Sequence, residues 1–152
     1  MGRANPFVLT GILAVFVAIY GGLSVLAGGL YLDSHEGDTY HFIDIVGRSV
    51  AGDIPHLDFM TPLGFLSFWP VVAFVKSGFS IGVSTVYAQI TVALILFPLV
   101  IYAGATRMSR GVAILFGVLT LGLVLALSFG GEGSGVAIAM HYNRWALSLI
   151  HI

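Results

Sequence analysis

The sequence predicts an all-α integral membrane protein with three transmembrane helices and a partial fourth. An outer-face loop carries an amphipathic interfacial helix and a short juxtamembrane helix. Two observations lead there. Of 152 residues, 58% are hydrophobic and only 9% charged, with a mean hydropathy of +1.02; a water-facing surface cannot cover that composition. The polar chemistry is also gathered in one place, because Asp33 to Gly64 holds six of the seven acidic residues and three of the five histidines. The flanks are close to uniformly apolar.

Composition excludes some partners. The net charge of −1 and the scattering of Arg3, Arg48, Lys76, Arg107, Arg110 and Arg144 provide no basic patch for nucleic acid. Without cysteine there are no disulfides or thiolate metal sites.

Phe7 to Leu32 is an apolar run of 26 residues, longer than the ~20 needed to cross a hydrocarbon core. A cleaved signal peptide is the competing reading, but an h-region is only ~7–15 residues long. Gly21, Gly22, Gly28 and Gly29 would permit close helix approach. Pro62 to Val75, with 14 residues and Pro70 inside, is too short to cross and suits a re-entrant or interfacial helix. Phe79 to Ala103 can span, with a kink expected at Pro98, and Gly111 to Phe129 is the third span. After a glycine-rich turn at Gly130 to Gly135, an apolar segment from Val136 forms the partial fourth, interrupted by His141, Tyr142, Asn143 and Arg144.

If Pro62 to Val75 does not cross, Arg3, Arg107 and Arg110 share one side, as the positive-inside rule favours. The amino terminus is then cytoplasmic. The 33–78 stretch, Glu132, His141 and Arg144 all lie on the outer face, where a single site would need them.

Within the polar stretch, Phe42, Ile45, Val46 and Ser49/Val50 recur at helical spacing, while His41, Asp44 and Arg48 fall on the opposite stripe. This is an amphipathic helix lying on the membrane, begun near Asp38 and Thr39 and stopped at Gly52. Asp38 suits an N-cap as well as a catalytic role. Asp44 and Arg48, one turn apart, suit a surface ion pair. Alternation over His56-Leu57-Asp58-Phe59 places His56 and Asp58 on one side of an extended segment, fit for a phosphate, metal or hydroxyl ligand or simply solvated. His35, His41 and His56 lack the tight spacing of a zinc site. A hard divalent cation, Mg or Mn, bridging the abundant carboxylates of this stretch and a substrate phosphate, suits it better.

Gly37-Asp38-Thr39-Tyr40, Gly52-Asp53, His56-Leu57-Asp58-Phe59 and Thr61-Pro62-Leu63-Gly64 together resemble the start of the multi-spanning C-type glycosyltransferases. These membrane enzymes use polyprenyl-phosphate-linked sugars, and include protein mannosyltransferases and lipid A aminoarabinose transferases. The resemblance implies that the first-loop acid is the catalytic base, with Asp38 the best match and Asp33 and Glu36 as alternatives. Thr39 stands where many members have a second acid. The resemblance further implies a bacterial inner (plasma) membrane location, with His56, Asp58, Tyr142, Asn143 and Arg144 available to bind substrate. A small non-catalytic membrane subunit, docking a partner through the outer loop, is the alternative.

Such enzymes have many more spans, so residues 1–146 are expected to be the amino-terminal membrane part of a larger transferase. Residues 147–152, Leu-Ser-Leu-Ile-His-Ile, match a translated sequencing-transposon end and are expected to be adapter sequence. His151 is therefore left out of the site.

Overall fold

The computed structural model describes residues 2–28, 36–125 and Trp145. All of its regular elements are helical: α1 (Pro6–Leu26), α2 (Glu36–Ala51), a 3-10 turn (Phe65–Ser67), α3 (Trp69–Lys76), α4 (Ile81–Arg107) and α5 (Arg110–Val124). Asp33, the side chain of Glu36, Glu132, the 130–135 turn, the partial fourth span, Tyr142, Asn143, Arg144 and the 147–152 tail lie outside the described residues.

Asn5 starts α1 by accepting the Phe7 and Val8 amides on its Oδ1, at 2.9 and 3.4 Å, with Pro6 in the first turn. The helix stops at Leu26, earlier than the apolar run suggests, because Gly28 takes φ +85°. Its 21 residues rise about 31 Å, still the thickness of a hydrocarbon core. α4 has 27 residues and runs unbroken through Pro98. These two helices are long and apolar enough to cross a membrane. α5, with 15 residues, rises only about 22 Å, so the expected third span is not complete among the described residues.

Close approaches at three glycines fix the direction of each helix. A Cβ added at Gly21 would stand 3.5 Å from Ile90, and one at Gly104 would stand 3.0 Å from Leu9. Position thus rises along α1 as it falls along α4, and the two are antiparallel. Gly104 also faces Ala113, while Gly117 faces Leu13, so α5 runs parallel to α1. An isolated bridge between Arg3 and Ser109 joins the amino terminus to the α4–α5 connection. Arg3, Arg107 and Arg110 therefore sit at one end of the bundle, and the chain between α1 and α4 begins and ends at the other.

At that other end α3 folds back against α4 as a short hairpin. The Phe74 and Tyr87 rings lie 5.6 Å apart and Phe79 and Tyr87 5.1 Å apart, which a straight continuation across residues 77–80 could not achieve. α3 is eight residues long and rises about 12 Å, far too little to cross a bilayer.

The expected amphipathic stripe on α2 is present: Thr39, Phe42, Ile45, Val46 and Ser49 are buried, while His41 and Asp44 are exposed. Its apolar face is buried inside the protein, packed chiefly against α3, so α2 does not lie with that face on the membrane. α2 ends at Ala51, before Gly52, whose φ of +113° lets the chain leave the helix axis.

Candidate functional site

Among the described residues α2 runs Glu36–Ala51, and Asp38 lies within it. It does not cap the helix from outside as its position in the sequence suggests. It is exposed, toward the amino-terminal side of the described helix. His41 and Asp44 continue this exposed stripe toward Arg48.

Arg48 organises the following loop. Its Nε donates to Asp53 Oδ2 at 2.9 Å, its Nη2 donates to the Asp58 carbonyl at 3.2 Å, and its guanidinium carbon lies 4.4 Å from the Phe59 ring centroid. The expected i,i+4 partner, Asp44, is not used. The turn at Gly52 delivers Asp53 instead, and this is the one ion pair among the described residues.

His56 to Phe59 form a tight turn and not an extended segment. The Leu57 and Asp58 amides both donate to the Ile54 carbonyl, at 3.1 and 2.9 Å, and the His56 amide donates to the Phe59 carbonyl at 2.8 Å. The Asp58 carboxylate turns back to accept the Ile54 amide at 2.7 Å. Alternation consequently fails: Leu57 is exposed while Phe59 is buried under Arg48, and His56, with φ +67°, stands at the exposed tip. Asp58 is occupied in holding its own turn, which leaves His56 as the free group of the pair.

The described candidates thus sit at opposite ends of one helix. Asp38 precedes Arg48 by ten positions, about 15 Å along α2, and the 53–59 turn is tied to the Arg48 end. Among the described residues no three His, Asp or Glu side chains gather closely enough to hold a metal ion.

Two features escape a reading of the sequence. α1 and α4 enclose two open apolar grooves. One, about 640 Å³, is lined by Ala14, Ala18, Gly21 and Gly22 against Ile90 and Leu94; the other, about 610 Å³, lies between Pro6, Thr10, Pro98 and Tyr102. The four-residue spacing of Ala14, Ala18 and Gly22 was the available signal for the first. The second feature is Gln89, 2% exposed on α4, whose Nε2 has no hydrogen-bond partner among the described residues; Ser49 Oγ on α2 is in the same position. No protein-family model matches the chain, and no curated protein or solved structure matches it either.

Proposed function

We propose that the chain is the amino-terminal membrane part of a C-type glycosyltransferase, crossing a bacterial inner membrane with its amino terminus in the cytoplasm. In this reading residues 111–129 supply the third span and the segment from Val136 the partial fourth. Support for the membrane setting comes from the outward faces of the long helices, where Val15, Ile19, Leu23, Leu94, Ile95 and Leu99 are exposed. So broad an apolar surface needs lipid or protein to cover it. The arginines at one end of the bundle favour that end as cytoplasmic.

The observation that carries the enzymatic reading is the exposure of Asp38 on α2, which packs on α3 at the end of the bundle away from Arg3, Arg107 and Arg110. In this reading Asp38 takes the proton of an acceptor hydroxyl as its oxygen attacks the anomeric carbon of a polyprenyl-phosphate sugar. The bond from that carbon to the lipid phosphate breaks, the configuration inverts, and the phosphate leaves with the electron pair. Phosphate needs no general acid, so positive charge suffices, supplied by Arg144 or a divalent cation. His56 positions substrate, with Tyr142 and Asn143 as further contacts. Asp33 and Glu36 remain the alternative acids.

The test is Asp38→Asn in the full-length parent. Asn keeps the size and polarity of the side chain but cannot accept the proton, so transfer should be lost while the protein still inserts and folds. Near-normal turnover would remove Asp38 as base.

The second reading, a non-catalytic subunit, is favoured by the same loop: the Asp58 carboxylate is already bonded, and Ile54, Leu57 and Met60 are exposed on it. Site-specific photocrosslinking from Leu57 in native membranes separates the two readings. A single defined protein adduct supports the subunit, and its absence together with loss of transfer in Asp38→Asn supports the enzyme.

A further inference from the structure

The antiparallel packing of α3 on α4 sets the depth of its apolar side chains. Gly21 stands opposite Ile90, so α1 ends near the level of Thr85 on α4. Phe74 meets Tyr87, and Trp69 lies five positions back along α3, in the direction that runs away from the Ile81 end. At 1.5 Å per residue, and allowing for helix tilt, Trp69 lies about 5–10 Å past the end of α1, toward the middle of the bundle. The chain just before it, at the 3-10 turn, carries Phe65 and Leu66. Leu66 is 80% exposed, and Phe65 and Trp69 are 42% exposed each, with their rings stacked at 4.5 Å. Lys76, at the opposite end of α3, reaches back to within 6.0 Å of the Trp69 ring.

We propose that the 65–76 hairpin arm dips into the bilayer, with Phe65, Leu66 and Trp69 among the acyl chains of one leaflet and Lys76 at its phosphates. This rests on the membrane reading above but not on the transferase reading. The lipid is the occupant because Trp69 lies at the depth of the exposed α1 residues Ile19 and Leu23, within the length of a span, so what covers the spans at that level covers it too. Tryptophan and lysine side by side are what interfacial anchors use, and Lys76, at the end of α3 nearer the edge of the bundle, has the stem length to turn from the Trp69 ring to the headgroups. The consequence reaches the candidate site. α2 packs chiefly on α3, so the depth of this arm sets the height of Asp38, His41 and Asp44 above the leaflet.

The chain has no cysteine, so single cysteines can be labelled cleanly. Leu66→Cys, Leu94→Cys and Asp44→Cys, each carrying an environment-sensitive fluorophore, are reconstituted in phosphatidylcholine and phosphatidylglycerol vesicles. Quenching is read with aqueous iodide and with lipids bearing nitroxides at shallow or deep acyl positions. The Leu66 label should be blue-shifted and lose most intensity to the shallow nitroxide, the Leu94 label to the deep one, and the Asp44 label to iodide. A Leu66 label that follows Asp44 while Leu94 follows lipid overturns the dipping arm and leaves the membrane reading standing. A Leu66 label quenched by neither also overturns it, as a sign of protein cover. Three iodide-quenched labels would overturn the membrane reading itself.

Discussion

Arg48 pairs with Asp53, donates to the Asp58 carbonyl and lies over the Phe59 ring, so removing its guanidinium releases three contacts at once. The ion pair is about 40% exposed on each side and worth at most about 1 kcal/mol, with about 0.5–1 kcal/mol from the ring contact. Arg48→Met, which keeps the apolar stem, should cost on the order of 1–2 kcal/mol in detergent unfolding and deprotect the Ile54 amide to hydrogen exchange. Asp58 separates structure from function by a different pair of variants. Asp58→Asn retains an oxygen that can accept the Ile54 amide, whereas Asp58→Ala does not and should lose about 0.5–1.5 kcal/mol. If Asp58 contacts substrate through its charge, Asn will be as damaging to transfer as Ala; equal transfer by Asn and wild type assigns the carboxylate to the turn alone. The sequence placed Arg48 on the right helix face but could not choose its partner. Asp44 is nearer along the helix, and only the exit at Gly52 brings Asp53 round. The extended geometry expected at His56 and Asp58 fails for a related reason: alternation presumes extended backbone, and the φ of +67° at His56 breaks it.

The elements themselves were more legible. The stripe of Phe42, Ile45, Val46 and Ser49 is a local property of α2, and the length of an apolar run reports α1 and α4 directly. What periodicity cannot report is which helix meets which face. The glycines of α1 suggest close approach, yet the tightest one is on α5: a Cβ at Gly117 would stand 2.9 Å from Leu13 Cδ2 and 3.2 Å from its Cγ. Leu13 is fully buried, so its side chain must shift within the core to admit one. Gly117→Val should therefore cost about 1–3 kcal/mol by overpacking, and Leu13→Ala in the same chain should restore part of it. Gly22 faces open space, so Gly22→Ala should be neutral or stabilise by up to about 1 kcal/mol through helix propensity. Thermal unfolding in micelles compares all three chains. Equal behaviour of the two glycine variants would show that α1 and α5 do not meet at this register.

At the scale of the molecule, the up-down-up course of α1, α4 and α5 turns a charge count into a topology. Arg3, Arg107 and Arg110 lie together because Arg3 bridges to Ser109 and because α4 ends where α5 begins. Lys76 stands at the opposite end, one short turn before α4. Among the described residues, three arginines at one end stand against Arg48 and Lys76 at the other, and the positive-inside rule favours the richer end as cytoplasmic. A reversed insertion would carry the arginine-bearing connection across the membrane and leave the acidic α2 region in the cytoplasm. Cysteines placed singly at Lys76 and Arg107 in intact cells, probed with an impermeant thiol reagent, read the orientation without a background thiol. Lys76→Cys should label from outside and Arg107→Cys only after permeabilisation. The reverse pattern would put Asp38 and the 53–59 turn on the cytoplasmic face, away from a donor presented on the outer side. Labelling of both from outside would mean that α4 does not cross, although its 27 residues give it the length to do so.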